Sequence, residues 1–259
     1  VDTDSLLLMG AEARNLLHAA RGHTFRLRST TDLDLGLAVP DWHSYDELAR
    51  TYARTGSTGI RYRIEGVIVD VMPFGEVEDP QGITLPPRRG EALIVFGFND
   101  VFARSELLTL PSGITIRLPS AAGYGALKMR AFIDQSVYGQ EKDAQDLALV
   151  AYWYQEDPMI DGQVWSLDNE DLMDRLEWDG DLGKAFLLGV DIGSVLSAEN
   201  RVDLLHRWAG VDAGLLVRSF TFGRDDLWTR DLGRRGALLD QIARGIAGGI
   251  VTGRGASRP

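Results

Sequence analysis

The sequence predicts an α+β fold, with a mixed-sheet domain over residues 1–119 and a helical domain over 120–248. Two observations predict it. Short apolar runs, several alternating with polar residues every second position, crowd the first half, and that period belongs to strands. After Pro119 the apolar spacing becomes helical and stays so to the C-terminal region. The small, glycine-rich stretch 249–259 has too little apolar content to pack and is expected to be a disordered tail.

Taken in order, residues 5–21 carry leucines and alanines at helical spacing, with Ser5 as expected N-cap and Gly22 beyond the end. Residues 31–39 alternate and then turn apolar, which predicts a strand stopped by Pro40. Ser44 with Glu47 three residues on is a capping-box pattern, so a helix is expected from 44 to about 54. Two short strands near 60–65 and 67–73, either side of Gly66, or one long bent strand through it, are expected next. Residues 77–89 read as a loop and 92–98 as a further strand. Segments 106–110 and 114–118 flank Pro111-Ser112-Gly113, which predicts a hairpin. Helices are expected at 120–135, 141–155, 168–177, 182–197, 200–209 and 231–247. The tryptophans, Trp153, Trp165, Trp178, Trp208 and Trp228 among them, are expected in the core and between helices.

Composition excludes several classes. The chain has 259 residues and no cysteine, so disulfides and thiolate zinc sites are ruled out. Its four histidines are scattered, which argues against a histidine metal site. No basic secretory leader and no bilayer-length apolar run is present, so the cytoplasm is the expected compartment and no membrane partner is expected. Net charge is −11 and uneven: residues 121–200 hold 16 acids against 5 bases, while residues 201–259 hold 10 bases against 6 acids. A chain this acidic suits generic nucleic-acid binding poorly, because phosphate contacts need Lys and Arg. Local basic patches exist at Arg21, Arg26 and Arg28, at Arg50, Arg54, Arg61 and Arg63, and near the C-terminus.

The most informative feature is Asp32 and Asp34, two carboxylates one residue apart on an expected strand. Residues i and i+2 share a face, and two adjacent carboxylates repel unless a cation sits with them. Mg2+, or Mn2+, is the natural candidate, being a hard ion that takes oxygen ligands and holds phosphates. Asp70 lies in another apolar run. If the two runs pair, three carboxylates converge on one metal. Asp70 also has a plainer partner in Arg61 or Arg63 on the neighbouring strand.

In order along the chain stand Gly10 at a helix, Arg28-Ser29-Thr30-Thr31-Asp32-Leu33-Asp34 on a strand, Asp70 on a later strand, Lys128 within Ala126-Leu127-Lys128-Met129, and Lys142-Asp143-Ala144-Gln145-Asp146-Leu147 opening the next helix. This order, covering roughly residues 5–155, resembles the AbiEii/MenT-type nucleotidyltransferase toxins, bacterial members of the polymerase-beta-like nucleotidyltransferase superfamily. The resemblance implies a nucleotidyltransferase fold for the front domain. It also implies metal-dependent transfer of a nucleoside monophosphate from a nucleoside triphosphate to an acceptor hydroxyl on transfer RNA or protein, by the toxin of a toxin–antitoxin system with a cognate antitoxin protein. Asp32, Asp34 and Asp70 would hold metal, Asp70 would help deprotonate the acceptor, Lys128 would contact the triphosphate, and Asp146 would orient Lys128 or the nucleotide. Gly10, Arg28, Ser29 and Thr30 would line the nucleotide. The sequence departs from the family where Gly-Gly or Gly-Ser is usual: here Gly10 is followed by Ala11 and Glu12. Two other readings keep the fold, one with a small cationic acceptor of the aminoglycoside kind and one a non-catalytic nucleotide- or partner-binding member.

Overall fold

The computed structural model describes residues 3–87 and 89–252. The chain is mixed α and β and divides into two compact units, Val1–Tyr124 and Gly125–Pro259.

The first unit opens with β1 (Leu6–Leu8), α1 (Gly10–Ala20), β2 (Asp32–Val39) and α2 (Trp42–Thr51). Then come β3 (Ala53–Arg54), β4 (Arg61–Ile64), β5 (Val67–Gly75), β6 (Ile83–Thr84), β7 (Leu93–Ile94), α3 (Phe98–Ala103), β8 (Glu106–Thr109) and β9 (Thr115–Leu118). Seven strands form one mixed sheet in the order β3-β4-β5-β2-β1-β9-β8, and β6 pairs with β7 apart from it. β2 lies parallel to β5 and antiparallel to β1. Leu37, Val39, Tyr45, Tyr62, Val69 and Val71 form a buried cluster between the sheet and α2.

Residues 6–8 correct the helix expected at 5–21. Leu6-Leu7-Leu8 lies inside the sheet between β2 and β9, and the helix begins only at Gly10. A short apolar run fits a buried strand as well as a helix turn, and the two ladder partners decide the matter. The cap of α2 is Asp41, whose carboxylate accepts from the Ser44 amide at 2.7 Å; Ser44 is therefore inside the helix. The strand expected at 92–98 shrinks to β7, because Gly97 takes a left-handed φ of 73° and opens α3. Phe98 and Phe102 of α3 then pack edge-on against Phe74. The loop expected at 77–89 contains β6.

The second unit takes most of α4 (Ala121–Gln135), followed by α5 (Lys142–Glu156), α6 (Pro158–Val164), α7 (Glu170–Arg175), α8 (Gly180–Val195), α9 (Ala198–Trp208), α10 (Ala213–Ser219) and α11 (Leu232–Thr252). The sequence reading omitted α6 and α10. Both begin at an aspartate N-cap: Asp157 accepts from the Met159 amide, with Pro158 at the first helical position, and Asp212 accepts from Leu215. α7 is shorter than expected because Glu177 and Trp178 turn to positive φ. α8 and α11 press backbone to backbone. A Cβ at Gly189 would lie 2.1 Å from the Ile242 carbonyl, and one at Gly245 would lie 2.1 Å from that of Phe186. α11 runs on to Thr252, so residues 249–252 of the expected tail are helical; residues 253–259 lie outside the described residues. Trp153, Trp208 and Trp228 are buried as expected, whereas Trp165 and Trp178 are 48% and 53% exposed. Among the described residues no helix is long and apolar enough to cross a membrane.

Candidate functional site

The first candidate cluster arises from strand register. β2 and β5 pair so that Asp34 stands directly opposite Asp70, with Asp32 opposite Ile68. Asp32 and Asp34, two residues apart, share a face of β2. The Glu65-Gly66 turn then folds β4 back along β5 and sets Arg61 opposite Asp70. The Arg61 guanidinium grips Asp70 with two bonds, Nε to Oδ1 at 2.8 Å and Nη2 to Oδ2 at 2.6 Å, and donates a third from Nη2 to Asp32 Oδ2 at 3.0 Å. Bonding to Asp70 and its charge, helped by Asp32 and Asp34, raises the Arg61 pKa against the opposing effect of desolvation. An arginine of the same sheet thus serves as cation to Asp32, one of the expected pair, and to Asp70. Sequence reasoning named Arg61 only as one of two partners for Asp70. The two-residue hairpin turn carries the missing signal, since counting back from it along both strands brings residue 61 to residue 70.

Asp34 also explains Gly10. Gly10 has φ +58°, and a Cβ there would sit 1.9 Å from Asp34 Oδ2. Any side chain at position 10 would collide with that carboxylate, which rests against the first turn of α1, where the helix dipole favours negative charge. Of the residues expected to line a nucleotide, Thr30 gives its hydroxyl to Asp32 Oδ1 at 2.7 Å. Arg28 and Ser29 are exposed, and the Arg28 carbonyl accepts from the buried Arg14 Nη2 at 2.6 Å. Arg14 was not singled out from the sequence, although it anchors the segment leading into β2.

The second cluster lies in the second unit. Lys128 on α4 places Nζ 2.9 Å from Asp143 Oδ1 and 3.0 Å from Asp146 Oδ2 of α5. The three side chains are 13%, 3% and 3% exposed. The spacing of three residues puts Asp143 and Asp146 on one helix face. Lys128 thus pairs with Asp146, and Asp143 is an equal partner. Asp143 Oδ2 is buried without a hydrogen-bond partner.

A divalent ion would find hard oxygen donors of the right type at Asp32, Asp34 and Asp70. The bridging guanidinium shows that a positive group already satisfies two of them, so a metal would have to take the place of Arg61. As placed, no group of three His, Cys, Asp or Glu side chains among the described residues is arranged to hold a metal ion. No protein-family model matches the chain, and no curated protein matches it.

Proposed function

We propose that the chain is a metal-dependent nucleotidyltransferase of the nucleotidyltransferase fold, transferring a nucleoside monophosphate from a nucleoside triphosphate to an acceptor hydroxyl. The observation that carries the proposal is the register of β2 and β5. It sets Asp34 against Asp70 with Asp32 on the same face of β2, and Arg61 bonds two of the three carboxylates, Asp32 and Asp70. Edge charges that only block aggregation need no such convergence.

In the reaction the acceptor oxygen bonds to the α-phosphorus, the bond to the bridging oxygen breaks, and pyrophosphate leaves. Asp32, Asp34 and Asp70 would hold Mg2+ or Mn2+, which when bound neutralises charge on the triphosphate oxygens. Thr30 fixes the orientation of Asp32 through its 2.7 Å bond. Asp70 takes the proton of the acceptor hydroxyl. Arg61, released from the carboxylates, offers a planar fork that suits phosphate oxygens. Lys128, held by Asp146 and Asp143, carries the resemblance's assignment of phosphate contact. The same resemblance supplies the setting: a toxin opposed by an antitoxin protein, acting in the cytoplasm on transfer RNA or protein. The acidity of residues 121–200 also suits a small cationic acceptor.

Incubation with α-labelled triphosphates, Mg2+ and total RNA, protein extract or aminoglycosides tests the proposal. The expected result is magnesium-dependent label on one acceptor, abolished in Asp32→Ala while the variant stays folded. No label on any acceptor, with no magnesium-dependent triphosphate binding, overturns it. That outcome favours the second reading, a non-catalytic member whose aspartates serve as counter-ions to Arg61, for which the two-bond grip on Asp70 speaks.

A further inference from the structure

Two tryptophans that the core does not use stand side by side on the second unit. The Trp165 and Trp178 rings are parallel to within 2°, with centroids 6.4 Å apart, and about half of each residue remains in water. The pair is accommodated by its surroundings. Gly180 leaves room for the Trp165 ring, since a Cβ there would meet Cζ2 at 2.9 Å. Trp178 holds φ +61° without being a glycine. The same stretch exposes Met159 at 80% and Leu167 at 87%. Exposed large apolar groups gathered in one stretch mark an interaction surface, and Trp is a residue type on which binding energy concentrates.

Charge says what kind of partner fits. Residues 156–181 contain ten acids and a single base, Arg175. Lys184 pairs Asp161, and Arg234 pairs Asp179 and Asp181. Asp168, Glu170, Asp171, Asp174 and Glu177, which lie between the two tryptophans in the sequence, are all exposed. Such a field repels phosphate, so RNA is disfavoured despite the aromatic faces. It attracts guanidinium groups, which also stack on indole.

We propose that this face docks a basic polypeptide segment, with arginine side chains laid on the Trp165–Trp178 pair and an apolar anchor against Leu167 and Met159. The proposal rests on residues of the second unit alone and does not depend on the nucleotidyltransferase reading.

Fluorescence anisotropy of a labelled amphipathic peptide of arginine and leucine, titrated with the full chain, tests it. The expected result is saturable binding that weakens with salt, and weaker binding still when lysine replaces arginine. Trp178→Gly removes the ring while suiting the left-handed backbone, and Leu167→Asp alters a side chain that stands in solvent. Each should weaken binding by about tenfold or more with an unchanged circular dichroism spectrum. Equal binding by both variants overturns the proposal. So does competition by single-stranded RNA that the same variants abolish, which would make the face a nucleic-acid site. A concentration-dependent dimer lost in the same variants would overturn it too, by making the face an interface between two copies of this chain.

Discussion

The Asp32–Asp34–Asp70–Arg61 cluster and the Lys128–Asp143–Asp146 cluster share one chemistry, with carboxylates outnumbering a single cation, and differ in water. In the first, side-chain exposure is 34% for Arg61, 32% for Asp32 and 15% for Asp70; in the second it is 13% or less throughout. Solvent screens the open cluster, so its cation can be exchanged at small free-energy change. The dry cluster is held by mutual dependence, because removing either sign strands the other in a low dielectric. An exchangeable cation is what a metal–triphosphate site needs, whereas the locked one ties α4 to α5 and holds Lys128 in one position.

The largest expected effect tests that division in the dry cluster. Lys128→Met leaves two carboxylates facing each other without their cation and should lower unfolding free energy by about 3–5 kcal/mol, read by urea denaturation. Replacing all three residues together, with Asp143→Leu and Asp146→Leu added, should recover most of the loss, since an apolar trio strands no charge. If the triple variant were as unstable as the single one, the loss would come from packing and the contrast between clusters would fail.

Next in size is Gly10→Ala. Forcing a side chain into a left-handed backbone position costs about 1–3 kcal/mol, and here the methyl group also runs into Asp34 Oδ2. Part of the loss should disappear in an Asp34→Ala background, with a coupling above about 0.5 kcal/mol in the double-mutant cycle. Additive effects would mean that Asp34 moves aside freely, and that Gly10 is glycine for its backbone alone.

Arg61→Ala should change stability by no more than about 1 kcal/mol, because the pair is solvent-screened. Its larger consequence lies in Mn2+ binding followed by electron paramagnetic resonance. With the guanidinium gone, three carboxylates lack their counter-charge and affinity for the ion should rise. A fall in affinity would show that Arg61 supports the ion's place, and the exchange argument would be withdrawn.

The part of this contrast legible in the sequence is the part that depends on local period. The two-residue spacing of Asp32 and Asp34 announces a shared strand face, and Lys142-Asp143-Ala144-Gln145-Asp146 announces a shared helix face. Burial was not legible: nothing in the composition around Lys128 distinguishes a surface lysine from one enclosed by two helices. β1 was hidden because Leu6-Leu7-Leu8 satisfies both periods and only its partners on either side choose between them. The exposure of Trp165 and Trp178 was hidden because a tryptophan reads as core whether or not anything covers it. Arg61 lay between these cases, since the Glu65-Gly66 turn fixed its register once the hairpin was accepted.

The smallest expected effect concerns the approach to the open cluster. α1 holds the segment before β2 at two points, Arg14 on the Arg28 carbonyl and His18 Nε2 against the Phe25 carbonyl at 3.3 Å. His18 stacks on His23, with Phe25 edge-on. Burial, chiefly, with the His23 and Arg14 charges, lowers the His18 pKa against the contrary pull of the Phe25 carbonyl. The native state therefore binds fewer protons here than the unfolded chain. Stability is fully present above the ordinary histidine pKa of about 6.5 and declines as pH falls from there through the lowered native value. His18→Phe should flatten that slope, measured as thermal midpoint against pH, without touching the three aspartates. The wild-type slope should run opposite to what a histidine stabilised by a carboxylate would give. If stability instead rises on acidification through this window, His18 is held as a cation, and the clasp on residues 22–30 works by charge attraction rather than by packing.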